Sequence, residues 1–247
     1  MARIELRDCI VRFKDGLDGT AKQSGATGPN AATVTLKGGA DKPVLNTAVT
    51  DQVPVGARFT HAGESPATLV HTVTARTPGA TGPTTDIVFS PVLNDAVADD
   101  EVLTFLPQQI EIKVGDGNIT YTEHRTYEYM LDRGDLDTVR EGDEVPLDVK
   151  LECTYEHITT GTAEVITPLD ALKGIGGAVG WVSASADPCE PYAIDIEVEH
   201  VPPCGGAQTE ITLFPDFRAD TKEVNFKDAN IALTGKCNVI EPIINRV

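Results

Sequence analysis

Residues 147 to 157, LDVKLECTYEH, alternate apolar and polar side chains almost without fault. Leu147, Val149, Leu151, Cys153 and Tyr155 share one side of an extended chain, and Asp148, Lys150, Glu152, Thr154 and Glu156 share the other. A period of 2 belongs to a β-strand, so the segment predicts one face built for a core and one that is wet and charged. The pattern recurs. RIELR (3–7) predicts a strand with Ile4 and Leu6 inward, and QIEIKV (109–114) one with Ile110, Ile112 and Val114 inward. HRTYEYML (124–131) puts Tyr127, Tyr129 and Leu131 on one side, and AIDIEVEH (193–200) sets Ile194, Ile196 and Val198 against Asp195, Glu197 and Glu199. Three carboxylates on one strand face repel each other unless they are solvated or paired. EVNFKDANIALTGKCNV (223–239) reads as a hairpin turning at about Lys227 to Asn230.

Gly and Pro punctuate the chain, with Val, Ile and Thr between them, which predicts a mainly β protein. One short helix is expected at TPLDALKG (167–174), with Thr167 as N-cap, Pro168 at N1 and Gly174 as the stop. From residue 19 to 106 the composition becomes poor in charge and rich in Ala, Thr, Gly and Pro. GATGP occurs there at 25–29 and again at 79–83, each time as turn chemistry leading into a strand, NAATVTL or TTDIVFS. ARFTHA (57–62), TLVHTVTA (68–75) and EVLTF (101–105) add further strand signals. The expected organisation is a small β domain, 19–106, inserted into a discontinuous host domain, 1–18 plus 107–247. Of the formal net charge of −18, the insert carries −3 (5 Lys and Arg, 8 Asp and Glu) and the host −15 (15 and 30). Such a balance disfavours sticky binding to nucleic acid or anionic membranes. No apolar stretch approaches the roughly 20 residues that span a bilayer, and the opening MARIELRDCI lacks a signal peptide's hydrophobic segment, so a cytoplasmic place of synthesis and use is expected.

Motifs for catalysis or cofactors are sparse. GxSxG, HExxH and the P-loop pattern do not occur, and His61, His71, His124, His157 and His200 are scattered, which predicts ordinary strand residues, no enzyme and no cofactor. Five cysteines, at 9, 153, 189, 204 and 237, cannot all pair within one chain and show no CxxC, so zinc has little support. The strand-like run between Cys189 and Cys204 would hold them far beyond the roughly 6 Å of a disulfide. GIGGAVG (174–180) lacks the GxGxxG register and reads as a flexible loop. LDRGDLDTVREGDE (131–144) is acidic but fails the calcium-loop order, and Arg133 and Arg140 neutralise neighbours, so it reads as a solvated loop between strands without a metal. Its Arg-Gly-Asp triplet is a three-letter match of little weight, and the acceptor Asn118-Ile119-Thr120 has no consequence without secretion.

Three segments together carry a resemblance: MARIELRDCIVRFKDG; QQIEIKVGDGNITYTEHRTYEYMLDRGDLDTVREGDEVPLDVKLECTYEHI; and FPDFRADTKEVNFKDANIALTGKCNVIEP. In the order and character of their strands they resemble the tail tube proteins, or major tail proteins, of long-tailed bacteriophages, with VREGDEVPLDV the most telling piece. The insert, VPVGARFTHAG especially, resembles small β modules that decorate phage virion proteins. The resemblance implies a β-sandwich or barrel host that contributes strands to an oligomeric inner β-barrel, with the insert on the tube exterior. It also implies hexameric rings that stack into a tube in the virion, assembled in the bacterial cytoplasm. The implied partners are further copies of the chain, the tape-measure protein in the lumen during assembly, and tail terminator and distal tail proteins at the tube ends. DNA would transit without specific binding, and the chain would not insert into a membrane.

An acidic lumen wall repels DNA over a Debye length of roughly 8 Å, whereas Lys and Arg would grip it. The expected lumen residues are Asp148, Glu152 and Glu156 with Lys150 between them, then Glu111 and Glu128; Asp195, Glu197 and Glu199 are the rival set. Arg133, Asp135, Arg140, Glu141, Asp143, Gly174 and Gly177 are the candidates for ring stacking or inter-subunit loops. The alternative from another class is a carbohydrate- or receptor-binding virion module; a glycosidase stands third, since Trp181 is the sole tryptophan available for sugar stacking.

Overall fold

The computed structural model describes residues 6–46, 53–78, 84–115, 117–133, 135–159, 165–185, 187, 189–200 and 209–246. In chain order its strands are β1 (Cys9–Lys14), β2 (Gly19–Lys22), β3 (Thr33–Leu36), β4 (Val44–Leu45), β5 (Arg58–His61), β6 (His71–Pro78), β7 (Thr85–Ser90), β8 (Val102–Leu106), β9 (Gln109–Ile112) and β10 (Ile119–Thr122). Then come β11 (Tyr127–Asp132), β12 (Asp135–Glu141), β13 (Leu147–Thr154), β14 (Ile158–Thr159), β15 (Val165–Ile166), the helix α1 (Pro168–Ala171), β16 (Ile194–His200), β17 (Glu210–Asn225), β18 (Asn230–Cys237) and β19 (Ile243–Arg246). The protein is mainly β, with two large antiparallel sheets of eight and seven strands and one short helix.

Two compact units divide the chain, one of residues 1–13, 111–156 and 193–247, the other of 14–110 and 157–192. The seven-stranded sheet, in order β3-β7-β6-β5-β8-β2-β4, takes every strand from residues 19 to 106. Its core joins Leu17, Val34, Leu36, Phe59, Val73, Ile87, Phe89, Leu103 and Phe105. The segment 157–192, which the sequence reading gives to the host, falls in the same unit as this sheet. There α1 forms as its caps predict. The Thr167 hydroxyl accepts from the Asp170 N–H at 3.1 Å, and the Asp170 carboxylate accepts from the Thr167 N–H at 3.0 Å, a reciprocal capping box ahead of Pro168. GIGGAVG is a defined turn rather than a featureless loop: a 3-10 turn spans Gly176–Ala178, with Ala178 and Trp181 buried. Gly174 and Gly176 both have positive φ, and a Cβ on Gly176 would fall 2.8 Å from the Asp170 carboxylate.

The eight-stranded sheet runs β10-β13-β18-β17-β16-β1-β9, with β19 paired to β17. The 16-residue β17 does two jobs. Its first half pairs with β16 and β19, its second half with β18. Between the halves Asp216 takes φ +54°, and the register slips between Ala219 and Thr221, so the strand carries the break needed to change partners. The predicted hairpin follows. Asn225 faces Asn230, and the Asn225 side chain accepts from the Lys227 N–H at 3.0 Å to close the turn.

Two other readings need correction. Leu6 lies in a 3-10 turn, Leu6–Asp8, and the first strand starts at Cys9; Ile4 lies outside the described residues, as do Cys204 and the second GATGP copy. The acidic run 131–144 is no loop, because β11 and β12 pair through it as a two-stranded hairpin. Among the described residues Cys9, Cys153, Cys189 and Cys237 form no disulfide, and burial pushes the Cys153 and Cys237 thiols up to about 12.

Buried Asp15 joins three segments within its unit. One carboxylate oxygen accepts from the Leu17 N–H at 3.1 Å and the Gln108 N–H at 2.6 Å; the other accepts from the Gln108 side-chain amide at 3.0 Å and the Val182 N–H at 3.1 Å. Desolvation pushes this carboxyl up to about 7, against the pull of those donors toward the anion. Asp15→Ala leaves three buried backbone N–H groups without an acceptor and should cost about 3 kcal/mol in chemical denaturation. The folded pKa lies above the unfolded one, so the contribution from Asp15's own titration is full below about pH 4 and lost as pH rises through 7. The gap in Tm between wild type and Asp15→Ala should therefore narrow from pH 5 to pH 8. Gly235 gives a second check. A Cβ there would lie 2.1 Å from the Arg218 carbonyl oxygen, so Gly235→Ala forces β17 and β18 apart and should cost about 3 kcal/mol in the same assay.

Candidate functional site

Strand β13 keeps the alternation its sequence predicts. Leu147, Val149, Leu151 and Cys153 are buried, while Lys150 and Glu152 are exposed and Asp148 is partly so. Register extends this outer face across four strands, because directly opposed residues in an antiparallel pair share a face. Thr122, Asp148, Lys236 and Arg218 form one cross-strand row; Thr120, Lys150, Thr234 and Thr221 form the next; Glu152, Ala232 and Glu223 a third; Thr154, Asn230 and Asn225 a fourth. The result is a polar surface with a close balance of charge: Asp148, Glu152 and Glu223 against Lys150, Lys236 and Arg218. Asp148 is hemmed in further, by His124 Nε2 at 2.9 Å and Lys236 Nζ at 4.0 Å.

The other acids expected beside Asp148 go elsewhere. Tyr155 and Glu156 lie past the end of β13, and Glu156 pairs with Lys113 at 3.1 Å. Glu111 is exposed on β9, at the opposite end of the strand order from β10. Glu128 sits in the hairpin opposite Arg140. The rival set is paired rather than bare. Arg12 on β1 donates to Glu197 at 2.9 Å and to Glu199, and the attraction of both acids raises the guanidinium pKa against the effect of its burial. Glu197 is itself buried, and Asp195 accepts from the Asp216 N–H at 3.0 Å, beside the break in β17. The expected repulsion along β16 is thus relieved by a strand 185 residues away in sequence.

The β11–β12 hairpin is the more exposed surface. Tyr127, Tyr129, Leu131 and Val139 are each more than half exposed, and Met130 is exposed too. Tyr129 faces Val139, while Tyr127 faces Glu141. Arg133 takes φ +52° at the tip, Asp135 opens β12, and at the base the Thr126 hydroxyl donates to the Asp143 carbonyl at 2.7 Å. Residues 123–144 hold eight acids and three arginines, a net −5, so much of the negative charge belongs to this arm and its base. Beside that base a groove of about 440 Å³ is lined by Glu144, Val145, Pro146, Val239, Ile240 and Glu241, with Glu241 held by Arg125 at 2.8 Å. Gly174 and Gly177, grouped with the hairpin by sequence, lie in the other unit.

Sequence reasoning overlooked a buried trio in the seven-stranded sheet's unit, His61, Glu64 and His71, whose ligand atoms lie within 4.8 Å of one another. The spacing H-x2-E-x6-H was the available signal, and it matches no common metal motif. Among the described residues, no helix is long and apolar enough to cross a membrane. No protein-family model matches the chain, and neither a curated protein nor a solved structure does.

Proposed function

We propose that the chain is a structural, non-enzymatic subunit that assembles with copies of itself into stacked rings, as the tail tube of a long-tailed phage. The observation that carries this reading is the β11–β12 hairpin, whose large apolar side chains are exposed along an isolated two-stranded ribbon. Two strands alone are marginal in water, and apolar surface of this kind signals a partner surface. The hairpin includes Arg133, Asp135, Arg140 and Glu141, and Asp143 lies at its base; all five were expected at subunit contacts. The outer rows of β10, β13, β18 and β17 provide the second element, a sheet apolar on one face and polar on the other. In a ring such sheets close into a shared barrel, which removes their edges and turns the polar face to the lumen.

The lumen chemistry that follows differs from a simple acidic wall. Equal numbers of acids and bases, with threonine and asparagine between them, give DNA no continuous cationic track to settle on. Tape-measure protein and DNA would pass over a surface whose charges nearly cancel. The insert would decorate the exterior, and tail terminator and distal tail proteins would close the ends.

Electron microscopy of the purified full chain, alone and with tail partners, tests the reading: rings or tubes are expected, and dispersed monomers under every condition would overturn it. Tyr129→Lys combined with Val139→Lys should leave the circular dichroism unchanged and abolish tubes. Asp148→Lys with Glu152→Lys shifts the balanced face by four positive charges per subunit; tubes should form while genome ejection slows, and unchanged ejection would remove this face from the lumen.

A further inference from the structure

His61 ends β5, Glu64 lies in the turn that follows, and His71 opens β6. All three side chains are fully buried. His71 Nδ1 lies 2.7 Å from the Pro91 carbonyl oxygen, which can only accept, so Nδ1 carries the proton and Nε2 of a neutral ring presents a lone pair. That Nε2 has no hydrogen-bond partner and stands 3.6 Å from Glu64 Oε2. His61 has a carboxylate at each ring nitrogen. Its Nδ1 is 2.9 Å from Glu101 Oε1, and its Nε2 abuts the same Glu64 Oε2. Glu64 Oε1 accepts from the Asn94 N–H at 2.7 Å, so Oε2 is the oxygen turned toward the two imidazoles.

Three electron-pair donors thus converge in an apolar setting, with Phe59 stacked on His71 at 5.1 Å and Phe89 edge-on to it at 5.2 Å. A carboxylate facing the His71 lone pair is repulsive unless a cation lies between them, and burial raises the cost. A hydrogen bond from His61 Nε2 to Glu64 satisfies that contact alone and leaves His71 Nε2 unpartnered. One divalent ion satisfies both together.

We propose that His61 Nε2, His71 Nε2 and Glu64 Oε2 bind a zinc ion that staples the β5–β6 turn to the strands beside it. Zinc bonds of about 2.0–2.2 Å in a tetrahedron put ligand atoms about 3.3–3.6 Å apart, a spacing the His71–Glu64 pair already has; the His61–Glu64 contact opens to admit the ion. Each histidine's other nitrogen is anchored, one on the Glu101 carboxylate and one on the Pro91 carbonyl, the outer-shell support that orients metal-bound imidazoles. Two nitrogen donors and one oxygen favour a first-row transition ion over calcium or magnesium. Full burial of the ligands makes the ion a structural cross-link, with water as the fourth ligand. Pro91 follows β7 and Glu101 precedes β8, so the site gathers four strands at one end of the sheet.

The test uses the full chain, stripped with a chelator, desalted and titrated with Zn²⁺ or Co²⁺ alone. Stoichiometric binding of one ion per chain, an intense visible absorption band from tetrahedral Co²⁺, and a rise in Tm of about 5 °C with Zn²⁺ are expected. His71→Gln and Glu64→Gln should each lose the stoichiometric ion and the Zn²⁺-dependent rise in Tm. Should either variant fail to fold, the Co²⁺ band of the wild type decides alone. A folded wild type that takes up no stoichiometric ion on titration, or a folded His71→Gln chain that binds Co²⁺ with an unchanged spectrum, overturns the proposal.

Discussion

A single buried carboxylate fixes where the chain enters and leaves its seven-stranded sheet. Asp15 follows β1 directly and Gln108 precedes β9 directly, and these two strands are neighbours in the eight-stranded sheet. The Asp15 N–H also donates to the Gln108 carbonyl, so the outgoing and returning chains are held by backbone as well as side chain. Taking a carboxylate out of water costs several kcal/mol unless its lone pairs are occupied, and here both oxygens accept twice. Val182 brings the segment after α1 to the same carboxylate. Gly16 is required alongside it, since a Cβ there would fall 2.2 Å from the Ser183 carbonyl oxygen.

How much of this was legible in the sequence depends on the range of the interaction responsible. Strand β13 and the longer strands of the insert were legible because alternation is written residue by residue. Helix α1 was legible because Thr167, Pro168 and Asp170 satisfy its ends within a few residues. Strands β2 and β4 were not: they span four and two residues, too few to show a period, and their partners fix them. Buried Glu197 was misplaced because its counter-ion is Arg12, far off in sequence. His61 and His71 were scattered histidines until β5 and β6 paired and set their rings 6.2 Å apart.

The returning strand of the hairpin, Asp135–Glu141, was misread for a different reason, while its first strand was legible. Dense charge and an Arg-Gly pair look like a solvated loop, yet pairing Tyr129 with Val139 and Glu128 with Arg140 gives both strands cross-strand partners. The same residues explain where the net charge of −18 lies. Acids on β13 and β16 are answered by Lys150, Lys236, Arg218 and Arg12, whereas those on the hairpin and its base outnumber their arginines. Charge counted along a chain gives the total without its placement among strands.

This distribution carries a consequence for assembly. A ribbon that is both apolar and strongly negative cannot bury itself against a like-charged copy of the same ribbon without repulsion. Its apolar residues favour contact, and its acids dictate with what: a surface that offers cations or is at least neutral. Heterologous contact of this kind, one patch against a different patch on the next copy, generates rings or stacks rather than closed pairs. For the assembly proposed above, the charge pattern therefore disfavours a hairpin-to-hairpin pair and favours contact between unlike patches of neighbouring copies.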